Sequence, residues 1–304
     1  MKQYITLTRR NCMVFLRDRA AVFFSLLSML IVLMLMGVFL GNMNVESITG
    51  LLAEYGGVRD AMQDQENATH LVQYWTLAGL MVVNALTVTL TVIGIMVNDA
   101  NENRLESFYC APVHRNIIAL SYISAAVLIG MLFCLITLGI SLCYIYTTGG
   151  TLLSTGAVLR IIGYTLMNVC IFAIIMYMLA LFVKSSSAWS GIATVVGTLV
   201  GFVGAIYLPM GNLPSGVANV LKYIPILHGT SLMRKVCCEE AIQTTFANMP
   251  QEVIDGYKEF MGISVMMGEK EAGNIQQMIF LCACGMAAFV VITIIGKRKS
   301  ISDR

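Results

Sequence analysis

The sequence predicts an all-α polytopic membrane protein with six transmembrane helices, an N-terminal interfacial helix, and a re-entrant helical hairpin between the fifth and sixth spans. Three observations predict it. Of the 304 residues, 58% are hydrophobic and only 12% charged, against roughly 45–50% and 25% in a soluble domain. Six apolar runs reach the roughly 20 residues that a helix needs to cross a bilayer core of about 30 Å. One late segment, YLPMGNLPSGVANVLKYIPILHGTSLMR, is cut by Pro209, Pro214 and Pro225 into pieces too short to cross.

The expected spans are Ala21–Leu40, Tyr74–Val97, Ile117–Tyr146, Ile161–Val183, Ala188–Leu208 and Gln277–Ile295. The first is too long for the core of a signal peptide, follows a basic, partly amphipathic stretch of about 20 residues and has no small-residue cleavage site after it. The N-terminus is therefore expected to be retained. Basic residues stay on the cytoplasmic side of a membrane, and placing both termini there puts 12 of the 19 Lys and Arg inside against 5 of the 17 Asp and Glu. A multi-pass protein of the cell (plasma) membrane with both ends cytoplasmic is the expectation. The net charge of +2 conceals this asymmetry, and no basic patch with interleaved aromatics points to nucleic acid.

Residues 1–19 read as a helix on the inner membrane surface, with Ile5, Cys12, Phe15 and Leu16 on one face and Arg9, Arg10, Arg17 and Arg19 in reach of lipid phosphates. A plain basic flank that sets topology is the competing reading. Residues 42–73 are polar and acidic and read as an external loop. Its sequon, Asn67-Ala68-Thr69, receives no role. Residues 98–116, NDANENRLESFYCAPVHRN, offer Asp99 and Asn101 as helix N-caps, with Pro112 ending the segment. Arg104 and Phe108, at i and i+4, share a face that a partner groove can take; composition alone favours an ordinary solvated loop. Thr147–Arg160 and Lys184–Ser187 are short connections. Residues 236–276 read as a small external helical cap with apolar positions Ile242, Phe246, Val253, Tyr257 and Phe260.

The chemistry that is missing narrows the function. No Asp, Glu, Lys or His lies deep in the apolar runs, which argues against a proton-coupled pump. No Gly-x-x-x-x-Gly-Lys-Ser/Thr loop is present to hold nucleotide phosphates. The three histidines, His70, His114 and His228, are far apart and lack nucleophile partners, so no catalytic residues are assigned. The nine cysteines show no metal spacing, and adjacent Cys237 and Cys238 bridge only with strain. No metal or cofactor is expected in this chain.

What the spans do carry is a pattern of small and weakly polar residues. Thr76, Asn84, Thr87 and Thr91 recur at helical spacing in the second span, and Ser190, Thr194, Gly197, Gly201 and Gly204 in the fifth. Such faces either pack helices closely or line a closed pathway. In the proline-broken segment, Leu213–Tyr223 and Ile226–Val236 are each about 16 Å of helix. Incomplete helices at membrane depth need protein or a watery vestibule around them. They read as a hairpin entering from outside, with Pro209, Pro214, Tyr223, Pro225 and His228 as its gate residues; an amphipathic pair lying flat on the surface is the alternative.

Two motifs together resemble the permease subunits of type-2 ATP-binding-cassette (ABC) exporters, the group that includes bacterial drug-efflux, lantibiotic-resistance and polysaccharide-export permeases. NRLESFYCAPVHR resembles the family's coupling helix through Arg104, Leu105, Glu106, Pro112, Val113 and Arg115, with SFYC replacing a Leu-rich end. The hairpin resembles the family's through Pro209, Pro214, Pro225, Leu232 and Arg234. The resemblance implies a homo- or heterodimer of permeases over separate ATPase subunits, which hold the ATP and Mg. It implies ATPase contacts at Asp99, Glu102, Arg104, Leu105, Glu106, Phe108, Pro112 and Arg115, and a cargo path past Asn84, Thr87, Thr91, Ser190, Thr194, Gly197 and Gly201. A dry interior suits an amphiphilic or apolar cargo, such as a drug or antimicrobial peptide. Lipid or polysaccharide export, a channel, or a non-transporting membrane sensor or assembly subunit are the alternatives.

Overall fold

The computed structural model describes residues 1–35, 41–57, 59–110, 113–268 and 270–302. In chain order its helices are α1 (Lys2–Arg17), α2 (Arg19–Leu35), α3 (Gly41–Tyr55), α4 (Ala61–Asn101), α5 (Arg104–Cys110), α6 (Arg115–Thr147), α7 (Thr155–Ala180) and α8 (Ser186–Val203). A 3₁₀ turn at Met210–Asn212 leads into α9 (Ser215–Leu221), α10 (Pro225–Cys237), α11 (Glu239–Thr245), α12 (Gln251–Phe260) and α13 (Asn274–Ser302).

Among the described residues five helices are long and apolar enough to cross a membrane: α4, α6, α7, α8 and Asn274–Ile295 of α13. The first of the six expected spans, Ala21–Leu40, coincides with α2 and with residues 36–40, which lie outside the described residues. The all-α bundle carries one minor β pairing. Strands β1 (Met266–Met267) and β2 (Lys270–Glu271) pair antiparallel, joined through Gly268 at φ +69°, a backbone region that glycine enters without a Cβ penalty.

α4 is the axis of the bundle. It is buried on nearly every side from Leu71 to Val97 and packs against α6, α7, α10, α3, α8 and α11. A helix apolar all round belongs in the interior. Its 41 residues span about 60 Å, well beyond a hydrocarbon core. The segment 42–73, read from composition as a loop, is therefore mostly helix: α3 and the first turns of α4. Asp60 starts α4 by accepting a hydrogen bond from the Met62 amide at 2.9 Å, and the polar residues that follow sit on its outer side while Asp64, Ala68 and Leu71 turn inward.

Helices α6 and α7 flank the axis, and α13 packs on α7. Close approach is built into the glycines. At Gly94 a Cβ would stand 2.7 Å from the Trp189 indole nitrogen of α8, so α8 reaches the axis only because residue 94 has no side chain. Gly94→Ala is expected to displace Trp189 and cost about 1–3 kcal/mol through overpacking; a change in tryptophan emission together with a lower melting temperature in detergent is the check.

Segment 236–276 folds as α11, α12 and the β1–β2 hairpin, with Ile242, Phe246 and Tyr257 buried, Val253 half-buried and Phe260 exposed. Arg59 ties this cap to the start of α4, pairing with Asp64 and donating to the Thr245 and Ala247 carbonyls at 3.0 Å. The β hairpin is tied by Lys235, whose ammonium lies 2.6 Å from Glu271. Burial works to raise the Glu271 pKa, but hydrogen bonds from Lys235 and Ser264 outweigh it and hold the carboxyl below its ordinary value. The stabilisation is thus present above the unfolded value of about 4.3 and is lost as pH falls through the lower folded value. Amide exchange of residues 264–272 is expected to quicken below about pH 4, and Glu271→Gln to abolish that step.

Candidate functional site

A charge cluster forms where α1, α4, α5 and α6 meet. Asp99 occupies the last turn of α4 and is 1% exposed. A carboxylate there is doubly disfavoured, by burial and by the negative end of its own helix dipole. Two hydrogen-bond donors and a nearby cation compensate. Arg10 of α1 grips it bidentately, with Nη2 to Oδ1 at 2.9 Å and Nη1 to Oδ2. Tyr122 of α6 donates its hydroxyl to Oδ2 at 2.6 Å. Arg104, the first residue of α5, places Nη1 3.5 Å from Oδ1 and also pairs with Glu102. The hydrogen bond to Asp99 raises the Arg10 pKa against the opposing effect of burial. The Arg10 guanidinium also lies 5.5 Å from the centre of the Phe108 ring on α5, a cation–π distance.

This geometry corrects several sequence expectations. Asp99 and Asn101 do not start the short helix: α4 runs through them, Glu102 is its C-cap, and Asn103 turns the chain at φ +58° before α5 begins. Asp99 points into the protein and offers no outer contact surface. Arg10, expected at lipid phosphates, turns inward to Asp99. The buried face of α1 is Thr8, Asn11 and Phe15, with Tyr4 bonded to Ser124 at 2.6 Å, Asn11 to Ser121 at 3.3 Å, and Phe15 edge-on to Phe133. Ile5 and Leu16 lie exposed beside Arg9. On α5, Leu105 is buried, Phe108 half-buried, and Arg104 and Glu106 point outward beside exposed Glu102. Arg115 opens α6 and is half-buried, while Pro112 lies outside the described residues.

The supposed path residues separate into two groups. Asn84 is buried and donates to Thr137 of α6, so it seals the α4–α6 seam. Gly201 is likewise occupied, packed against Tyr207. Thr87, Thr91, Ser190 and Thr194 return their hydroxyls to carbonyls four residues earlier in their own helices. Of these, Thr91, Ser190 and Thr194 are exposed, and Gly197 has open space before it.

At the opposite end, the proline-broken segment holds two short helices, with the break at Lys222–Ile224. Pro209 and Pro214 precede the 3₁₀ turn and α9, and Pro225 is the first residue of α10. Tyr223 at the turn is 72% exposed. α10 is buried against α4, α7 and α13. Its His228 bonds the Lys222 carbonyl through Nε2 at 2.8 Å, and its ring centre lies 4.6 Å from that of Phe280 in a tilted contact.

Arg234 is the residue whose role sequence reasoning missed. Fully buried, its guanidinium stacks 4.1 Å from the Trp75 ring centre and donates to the carbonyls of Ala205 at 2.6 Å, Met261 at 3.1 Å and Gly262 at 3.3 Å. Trp75 itself donates to Met261 at 2.9 Å. One cation thus joins α4, the turn after α8, α10 and the cap. The only signal was its place at the end of the proline motif. Among the described residues, no group of three His, Cys, Asp or Glu stands close enough to hold a metal ion, and Cys237 and Cys238 are free, buried thiols.

The chain is thus a multi-pass helical bundle with a short charged helix at one end and a buried, proline-broken helix pair at the other. Residues 58–295 match the model of the ABC-2 family transporter protein, and the chain belongs to that family. No curated protein matches it. It is accordingly a non-catalytic transmembrane permease domain of an ABC-2 type transporter, a class that generally pairs with ATPase subunits.

Proposed function

We propose that this chain is the membrane subunit of an ABC exporter that moves an amphiphilic or apolar cargo, such as a drug or antimicrobial peptide, outward, driven by ATP and Mg bound in a separate ATPase subunit. In this reading both termini and α5 face the cytoplasm, and a second permease, identical or related, completes the pathway. The carrying observation is the Asp99 cluster. Arg104 presents α5 to a partner while sharing its carboxylate with Arg10, so a push on α5 reaches the axial helix α4 and the N-terminal helix α1 together. The exposed hydroxyls of Thr91, Ser190 and Thr194 beside Gly197 support a cargo-lining face on α4 and α8. The α9–α10 pair supports a gate entered from the outer side.

Charge reversal at Glu106 tests docking, because this carboxylate is exposed and outside the cluster. Glu106→Lys is expected to insert and fold normally yet lower cargo-stimulated ATP hydrolysis of the copurified complex by about tenfold or more, as for the loss of one interfacial charge pair. Unchanged stimulation would remove α5 from the ATPase interface. Arg104→Glu is expected to do more, since it also repels Asp99. Copurification with an ATPase whose rate responds to candidate cargo tests the wider reading against that of a sensor or assembly subunit.

A further inference from the structure

We infer that the cap end carries a binding site for a zwitterionic phospholipid headgroup, a phosphate linked to a primary ammonium. A cavity of about 340 Å³ opens between α7, α10, α11, α12 and the start of α13. Its walls hold three basic side chains, Arg160, Lys235 and Lys258, and two acidic ones, Glu239 and Glu271. Asn274, the first residue of α13, completes them, and the first turn of a helix favours an anion.

The charges alternate around the cavity. Arg160 pairs with Glu239 at 3.1 Å and Lys235 with Glu271 at 2.6 Å. Lys258 stands 3.7 Å from Asp255, beyond hydrogen-bond distance, so its ammonium retains donors for a ligand. A simple anion would meet both carboxylates, and a simple cation all three basic groups. A ligand with both charges a few bonds apart satisfies each set, its phosphate toward Lys258 and Arg160 and its ammonium toward Glu239 and Glu271.

The position selects the source. Arg160 is in the second turn of α7 and Asn274 opens α13, so the cavity sits at the ends of two helices able to cross the membrane. That is headgroup level, where Lys and Arg meet phosphates. Beyond it the same helices show exposed apolar side chains, Leu166 on α7 and Ile275 and Ile279 on α13, a surface suited to acyl chains.

The test uses the full chain, delipidated in detergent, with binding read by native mass spectrometry and melting temperature, so that it does not depend on transport. Phosphatidylethanolamine is expected to bind and stabilise more than phosphatidylcholine, whose quaternary ammonium cannot donate to the carboxylates, and more than phosphatidylglycerol, which lacks the cation. Lys258→Ala with Arg160→Ala is expected to weaken binding by about tenfold, equivalent to about 1.4 kcal/mol. Arg160 is exposed and Lys258 only half-buried, so folding should survive, and the melting temperature of the lipid-free variant checks it. Glu239→Gln with Glu271→Gln is expected to erase the preference for phosphatidylethanolamine over phosphatidylglycerol. Equal binding of all three lipids, or indifference to both double variants, would overturn the site. Equal affinity for soluble phosphoethanolamine would overturn the leaflet as its source.

Discussion

Asp99→Ala is expected to release the N-terminal helix. Breaking a buried ion pair by removing one partner costs about 3–5 kcal/mol, because the surviving charge stays in a poor solvent. Here the Arg10 guanidinium, bonded to Asp99 through both terminal nitrogens, loses its acceptor, and the Tyr122 hydroxyl loses its own. Hydrogen exchange along Lys2–Arg17 should rise by orders of magnitude while that of α7 stays unchanged. Asp99→Asn should be milder, since the amide oxygen still accepts one bond. If α1 keeps its protection in Asp99→Ala, packing of Tyr4, Asn11 and Phe15 on α6 alone holds the helix, and the cluster transmits nothing from α5 to it.

Arg234→Met is expected to loosen the opposite end by a comparable amount. The methionine fills much of the volume, but three buried carbonyls lose a charged donor, and hydrogen bonds to charged groups contribute about 1.5–3 kcal/mol each. Ala205 adds to the effect: it sits at φ +51°, a region costly for a residue with a Cβ, and its carbonyl is held there by Arg234. Proteolysis between α11 and α12 and amide exchange at residues 261–263 should both accelerate. Arg234→Lys should recover only part of the loss, since a point charge cannot reach three carbonyls in a plane. Wild-type protection in Arg234→Met would show that Trp75 and the apolar contacts of the cap suffice.

The two lesions lie in parts of the fold that differ in how far they can be read from sequence. Proline restricts its own backbone and that of its predecessor, so Pro209, Pro214 and Pro225 announce short helices and their breaks from local chemistry alone. Apolar runs likewise locate the central portions of α4, α6, α7, α8 and α13. The ends of α4 were not legible, because Gln63, Asp64 and Glu66 lower hydropathy without opposing helix, and hydropathy reports lipid, not conformation. Arg10 and Asp99 are 89 positions apart. Only the docking of α1 on α6 brings them together, and nothing local in RRNC or NDAN records the partner. Asn84 shows the same limit: helical spacing put it in line with Thr87 and Thr91, whereas a rotation of one side chain around the axis hands it to Thr137. Arg234 was visible as a motif letter but not as a junction, since its acceptors are backbone atoms that any residue would supply.

The length of α4 gives these ends a mechanical relation. Trp75, beneath Arg234, and Asp99, within the charge cluster, belong to one uninterrupted helix and stand about 36 Å apart along it. A stiff rod packed along its length cannot move one tip alone; a small inclination shifts both. In the proposed export reading, timing between entrance and exit then needs no relay of loops, because a single rigid strut keeps them in step.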